Sequence, residues 1–75
     1  MLFFRSKAQK ELDSIINDIE QYLMNNYKDL AHDSRKKLEE RTEALYAEGE
    51  LSEKQYRDYI LNFRKYSFKM RDYHH

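Results

Sequence analysis

The chain has 75 residues, with no cysteine, no proline and one glycine, and its 14 basic and 14 acidic side chains balance. This length allows a single domain, with a core close to the smallest that offsets the entropy of the chain. The lack of cysteine excludes disulfides and thiolate metal sites. A net charge of zero predicts no general attraction to nucleic acid or to anionic membranes.

The chain begins with the apolar tetrapeptide at positions 1–4, which charged residues follow directly. This run is too short for a signal peptide or a membrane span, so we expect a cytoplasmic protein. Two interpretations of Phe3 and Phe4 stay open. They fold back onto the protein or a partner subunit, or they form a tip that contacts a membrane surface or another protein.

The first predicted helix covers about residues 6–27. Ser6 followed by Gln9 is the pattern of a capping box, in which two side chains satisfy amide groups at the helix start. Apolar residues then recur every three or four positions, which predicts an amphipathic helix with a wide buried face. These residues are Ala8, Leu12, Ile15, Ile16, Ile19, Tyr22, Leu23 and Tyr27.

The second predicted helix covers about residues 30–48, with Ala31, Leu38 and Leu45 seven residues apart. Residues 25–29 are rich in turn formers, and Asp29 and Asp33 are candidates to cap a new helix. The apolar stripe nevertheless crosses this segment in phase. One continuous helix over residues 6–48 would be about 65 Å long and would have to dimerise. A break near residues 25–30 is preferred, with the continuous helix as the alternative.

A turn at Gly49 separates the second helix from a third, predicted over about residues 52–73. Glycine is favoured just past a helix end because the left-handed backbone conformation needed there costs it little. Ser52 and Gln55 form a second capping-box pattern. The sequence therefore predicts an all-α domain over residues 1–75, most simply an antiparallel three-helix bundle, with a long-helix hairpin that dimerises as the alternative.

The segment from Leu45 to Tyr56 resembles the helix–glycine–capping-box–aromatic hairpin of short bacterial SHOCT-type oligomerisation domains. It reads Leu-Tyr-Ala-Glu-Gly-Glu-Leu-Ser-Glu-Lys-Gln-Tyr. The resemblance covers less than a fifth of the chain. It implies a self-associating module of a bacterial protein.

The third predicted helix has two apolar faces. Phe63 is the centre of the expected core stripe, whereas Leu61 and Phe68 fall on nearly the opposite side. They are expected either to be buried against the N-terminal arm or the second helix, or to form a contact surface with Arg64 and Lys65. Aromatic residues rimmed by arginine are typical of protein interfaces.

The C-terminal half of this helix is basic, with no acidic residue between Tyr59 and Arg71. The simplest explanation is that cations complement the dipole at a helix C-terminus. A second hypothesis is a nucleic-acid interface, in which bases stack on aromatic rings and cations contact phosphates. Its candidate cations are Arg64, Lys65, Lys69 and Arg71.

The sequence shows no pattern of catalytic, metal-binding or cofactor-binding residues. A chain with one glycine cannot form a glycine-rich phosphate loop. His74 and His75 are adjacent, which does not suit a helical zinc site, and His32 is interpreted as a solvated turn residue. We expect a non-enzymatic module that binds proteins and forms homo-oligomers, with Leu61, Phe68, Arg64, Lys65, Phe3 and Phe4 as the contact residues.

Overall fold

A computed structural model describes residues 5–71 of the chain. This part consists of three α-helices: α1 (Lys7–Met24), α2 (Lys28–Ala47) and α3 (Glu53–Met70). α2 packs against both α1 and α3, and the short turns make neighbouring helices antiparallel. The predicted all-α helical bundle is therefore confirmed. None of the described helices combines the length and the apolar character that crossing a membrane requires.

Both predicted capping boxes are present. The Ser6 hydroxyl accepts a hydrogen bond from the Gln9 amide at 3.1 Å, and the Gln9 side chain accepts one from the Ser6 amide at 3.1 Å. The equivalent bonds between Ser52 and Gln55 measure 3.1 and 2.8 Å. The first turns of α1 and α3 are therefore fixed by short-range sequence alone.

The break between α1 and α2 is a Schellman turn centred on Asn26. Its φ of 60° lies in the left-handed region, which asparagine tolerates better than most residues. The Asn26 amide donates to the Leu23 carbonyl at 3.2 Å, and the Tyr27 amide donates to the Tyr22 carbonyl at 2.8 Å. These bonds close the end of the helix. The preferred break is thus correct, although α1 ends at Met24 rather than near residue 27.

The start of α2 differs from the prediction. Its N-cap is Tyr27, which forms no side-chain capping bond, so the expected cap at Asp29 or Asp33 is wrong. The Schellman turn leads directly into α2 and leaves no room for a later start. Asp29 instead lies in the first turn of α2, where a negative charge complements the helix dipole.

The second turn also follows the Schellman pattern, with Gly49 at φ 79°. The Gly49 amide donates to the Tyr46 carbonyl at 3.0 Å, and the Glu50 amide donates to the Leu45 carbonyl at 2.9 Å. Leu51 is buried immediately afterwards. The glycine therefore ends α2 as predicted, and the chain reverses within a few residues.

The core lies along the seam of the three helices, and α2 contributes its central line. Its Ala31, Leu38 and Leu45, predicted from their spacing, are all buried, and so is Thr42. α1 contributes Ala8, Leu12, Ile15 and Ile19, and α3 contributes Tyr59, Tyr66 and Met70. Burying one large aliphatic side chain stabilises a fold by about 1.5–3 kcal/mol, so these residues account for most of the stability.

Two buried tyrosines of α3 place their hydroxyl groups against carboxylates of α1. The Tyr59 hydroxyl donates to Asp13 at 2.8 Å and accepts from Arg5, which also pairs with Asp13. The Tyr66 hydroxyl donates to Glu20. Since the rings lie in the core, each tyrosine both fills space and connects α3 to α1.

Candidate docking surface on the third helix

An exposed strip runs along the outer face of α3. It consists of Arg57, Leu61, Arg64, Phe68 and Arg71, at alternating spacings of four and three residues, and we call it the α3 strip. Leu61 is 61% exposed and Phe68 is 69% exposed. At helical periodicity the strip lies roughly opposite the buried tyrosines. The described part of the chain therefore leaves both apolar side chains of this strip in solvent.

Other large apolar side chains are exposed, but they are distributed differently. Met24, Tyr27 and Leu30 surround the first turn, and Tyr46 lies near the second. Apolar residues scattered near turns are common on protein surfaces, whereas an ordered row on one helix face is a candidate for binding. The α3 strip is the row that fits this criterion.

A groove of about 430 Å³ lies between the first half of α2 and the second half of α3. Its apolar lining residues are Phe63, Phe68 and Met70, and its other lining residues are polar and mostly cationic. No aspartate or glutamate is among the described residues that line it, and we call it the basic groove. It is lined by His32, Arg35, Phe63, Arg64, Ser67, Phe68, Met70 and Arg71.

Arg35 is the most constrained cation of the basic groove. One of its terminal nitrogens donates to the Ser67 hydroxyl at 3.0 Å, and its guanidinium carbon lies 5.5 Å from the centroid of the Phe63 ring. Its Nε atom is buried without a hydrogen-bond partner. Within residues 5–71 this half-buried guanidinium forms no ion pair with a carboxylate, and its contacts are a hydroxyl group and an aromatic ring.

The α3 strip and the basic groove form one continuous surface. Phe68, Arg64 and Arg71 belong to both, and the Arg71 guanidinium carbon lies 5.1 Å from the centroid of the Phe68 ring. Arg64 also borders a second depression of about 330 Å³, next to Leu61. A partner that covers the strip would therefore also meet the cations of the groove.

The predicted contact residues do not all lie on this surface. Leu61, Arg64 and Phe68 do. Lys65 instead places its ammonium group 4.8 Å from the centroid of its neighbour Tyr66. The candidate sites Phe3 and Phe4 lie outside the described residues, as do Asp72, Tyr73, His74 and His75.

The four cations proposed for nucleic acid occupy two sides of α3. Arg64 and Arg71 line the basic groove, whereas Lys65 and Lys69 are exposed and not part of its lining. Helical periodicity puts the two lysines about 100–140° around the helix from Arg64. The structure therefore gives the groove two of the four candidates and adds Arg35 from α2.

Sequence reasoning missed three residues of the groove. His32 was interpreted as a solvated turn residue, but it lies within α2, half-buried, and lines the groove. Arg35 falls between Ala31 and Leu38 on the stripe of α2 that faces its neighbours. The sequence feature that could have identified Arg35 is a cation at a position predicted to face the core. The position of Ser67 depends on how α3 packs and carried no such signal.

The opposite end of the bundle carries exposed acidic side chains. Glu48 and Glu50 flank Gly49 at the turn between α2 and α3, and all three residues are exposed. Neither carboxylate belongs to an ion pair among the described residues. We call residues 48–50 the acidic turn. It lies at the end of the molecule where the chain reverses, and Glu48 and Glu50 also line a depression of about 260 Å³ that includes Lys7.

An aromatic contact between α2 and α3 stabilises the acidic turn. The rings of Tyr46 and Tyr56 stack at a centroid distance of 4.1 Å, and the Tyr56 hydroxyl donates to Glu43 at 2.7 Å. This hydrogen bond, together with burial, raises the pKa of Tyr56. The turn is therefore held by side chains of both helices that it joins.

Across residues 5–71, no three histidine, aspartate or glutamate side chains are grouped so that they could hold a metal ion. Comparisons with protein-family models, with curated proteins and with solved structures found no match for the chain. The likeness of residues 45–56 to SHOCT-type hairpins therefore stays a resemblance of one segment.

Proposed function

We propose that this chain is a small non-enzymatic protein-interaction module that associates with copies of itself through the α3 strip and the basic groove. The observation that carries the proposal is the exposure of Leu61 and Phe68 in one row with three arginines. Aromatic side chains flanked by arginine are enriched at the energetic centres of protein interfaces. A cytoplasmic location is part of the same proposal, in keeping with a chain that lacks cysteine.

The size of the protein supports association. A domain this small has a limited core, and covering an exposed apolar row is a common way to gain stability. Arg35 adds a specific reason, because a half-buried guanidinium without a carboxylate gains most when a partner supplies one. The exposed apolar row and Arg35 lie on the same continuous surface.

The first experiment is sedimentation velocity or light scattering over a concentration series. We expect wild-type protein to associate at micromolar to millimolar concentration and Phe68→Glu to lower the association constant by at least about tenfold, because a charge replaces an apolar anchor. Leu30→Glu is the matched control, since Leu30 is also exposed but lies on another helix. A wild-type protein that stays monomeric throughout contradicts the proposal.

A second candidate function is binding to single-stranded nucleic acid at the same surface. The observation in its favour is Phe68, an exposed ring with Arg71 beside it and Arg64 one helical turn away. Such binding weakens steeply with salt, since phosphate contacts release counterions. A gel-shift assay at low salt tests it, with Arg64→Ala as the variant. No shift at low salt excludes this candidate.

A further inference from the structure

A symmetric contact between two α3 strips is electrostatically unfavourable. In an antiparallel pair, Arg64 faces its own copy, and Arg57 faces Arg71. In a parallel pair, each arginine faces its own copy. Like charges opposed at an interface cost free energy, and the strip has no acidic residue to offset them. The surface that covers the strip must therefore differ from it and must be acidic.

The basic groove specifies its occupant more closely. Its lining includes the apolar residues Phe63 and Phe68, and Arg35, Arg64 and Arg71 supply positive charge. The guanidinium of Arg35 has no carboxylate partner in the described part of the chain. The fitting occupant is an exposed segment that carries carboxylates, because these can pair with the guanidinium groups.

The acidic turn of the same protein has these properties. It projects from the opposite end of the bundle and presents Glu48 and Glu50 as exposed carboxylates. Between them, Gly49 has no side chain, and nothing lies within 4 Å of where its Cβ would be. The backbone can therefore approach a groove closely at this point. The stacked rings of Tyr46 and Tyr56 hold the turn in place.

We propose that the protein assembles head to tail, with the acidic turn of one copy in the basic groove of the next. This inference rests on the proposed self-association and specifies its geometry. The two surfaces lie at opposite ends of a molecule about 40 Å long, so a copy that places its turn in a neighbour can still receive another turn in its own groove. Contacts of this kind generate rings or open chains when each turn fills the groove of a further copy, and a closed two-fold dimer when two copies exchange turns reciprocally.

The test uses two variants, each of which disables one end. Arg64→Glu with Arg71→Glu changes the groove, and Glu48→Gln with Glu50→Gln changes the turn. Each variant alone is expected to associate at least about tenfold more weakly than wild type, since charged contacts at its only altered end are lost. When the two variants are mixed, the groove variant still has an intact turn and the turn variant still has an intact groove. One copy of each should therefore form a heterodimer, which has no further pair of intact surfaces and cannot grow.

The control is Glu39→Gln with Glu40→Gln, which removes two exposed carboxylates from the middle of α2. It should associate as wild type does. Circular dichroism melting checks that each variant folds. If one variant does not fold, the other is mixed with wild-type protein. It should then reduce the size of the wild-type assemblies, because it binds one end of an assembly and offers no surface for the next copy.

The outcomes separate the two proposals. A wild-type protein that stays monomeric overturns both the function and the geometry. A wild-type protein that associates, with no heterodimer from the mixed variants, overturns the head-to-tail geometry and leaves self-association in place. A discrete dimer that the groove variant and the turn variant each weaken shows two copies exchanging turns reciprocally, whereas a dimer that neither variant weakens overturns the turn-in-groove contact.

Discussion

At the residue scale, Thr42 is a buried polar group without a partner. It is completely inaccessible to solvent, and its hydroxyl forms no hydrogen bond in the described structure. An unsatisfied buried hydroxyl costs about 1–3 kcal/mol. We expect Thr42→Val to raise the free energy of unfolding by about 1 kcal/mol, equivalent to a melting temperature about 4–8 °C higher. Thermal unfolding followed by circular dichroism measures this.

Thr42→Ser is the control for this prediction. It keeps the hydroxyl but removes a buried methyl group, so it should lower the free energy of unfolding by about 1 kcal/mol. If Thr42→Val instead lowers the melting temperature, the hydroxyl is hydrogen-bonded in solution and the prediction is wrong.

At the scale of the elements, the turn between α1 and α2 depends on one left-handed residue. Asn26 has a φ of 60° and is exposed. Alanine is strained in this conformation, whereas glycine is not. We expect Asn26→Ala to lower the free energy of unfolding by about 1 kcal/mol and Asn26→Gly to change it by less than about half of that. Chemical denaturation measures both.

Asn17 provides the matched control, because it is an exposed asparagine inside α1. Asn17→Ala should leave stability unchanged or raise it slightly, since alanine is the better helix former. An equal loss at both positions would mean that the cost of Asn26→Ala is not due to its backbone conformation.

The elements also show what sequence alone can predict. Ser6 and Ser52 start helices through bonds to residues three positions away, and Gly49 ends one through its own backbone freedom, so both features are local. The spacing of Ala31 and Leu38 fixes the buried face of α2 in the same way. Local patterns were therefore sufficient for the helices, the turns and much of the core.

The candidate site was less predictable, because it depends on packing between helices. Phe68 was expected either to be buried against the N-terminal arm or α2, or to form a contact surface, and the structure shows that α2 leaves it exposed, whereas the arm lies outside the described residues. The contacts of Arg35 with Ser67 and Phe63 join residues about 30 positions apart, so no local pattern predicts them. The groove exists only after α2 and α3 pack together.

At the scale of the whole molecule, the charges at both ends of the bundle predict how association responds to salt. The basic groove contains no acidic residue among those described, and the carboxylates of the acidic turn form no ion pair within residues 5–71. Attraction between such surfaces is screened over about 8–10 Å at physiological ionic strength. Self-association should therefore weaken as salt increases, in contrast to an interface held by apolar contacts alone.

The buried tyrosines predict how the stability of the whole fold depends on pH. Burial, reinforced by the hydrogen bond to Asp13, raises the pKa of Tyr59 from 10.0 to about 12. Burial and Glu20 also raise the pKa of Tyr66. The folded state thus favours the neutral phenol more than the unfolded state does. The raised pKa of Tyr59 stabilises the fold fully below about pH 10, and this stabilisation is lost as the pH rises through the folded pKa of about 12. The free energy of unfolding should therefore fall between about pH 10 and 12.

Urea unfolding at a series of pH values measures this effect. Tyr59→Phe should be less stable than wild type at about pH 8, because it loses the bonds to Asp13 and Arg5. It should also lose less stability between about pH 10 and 12, since one of the groups that bind protons more tightly in the folded state is gone. Tyr27→Phe, which removes an exposed phenol, is the control and should follow the wild-type curve. A Tyr59→Phe curve parallel to that of wild type would show that ionisation of Tyr59 does not limit alkaline stability.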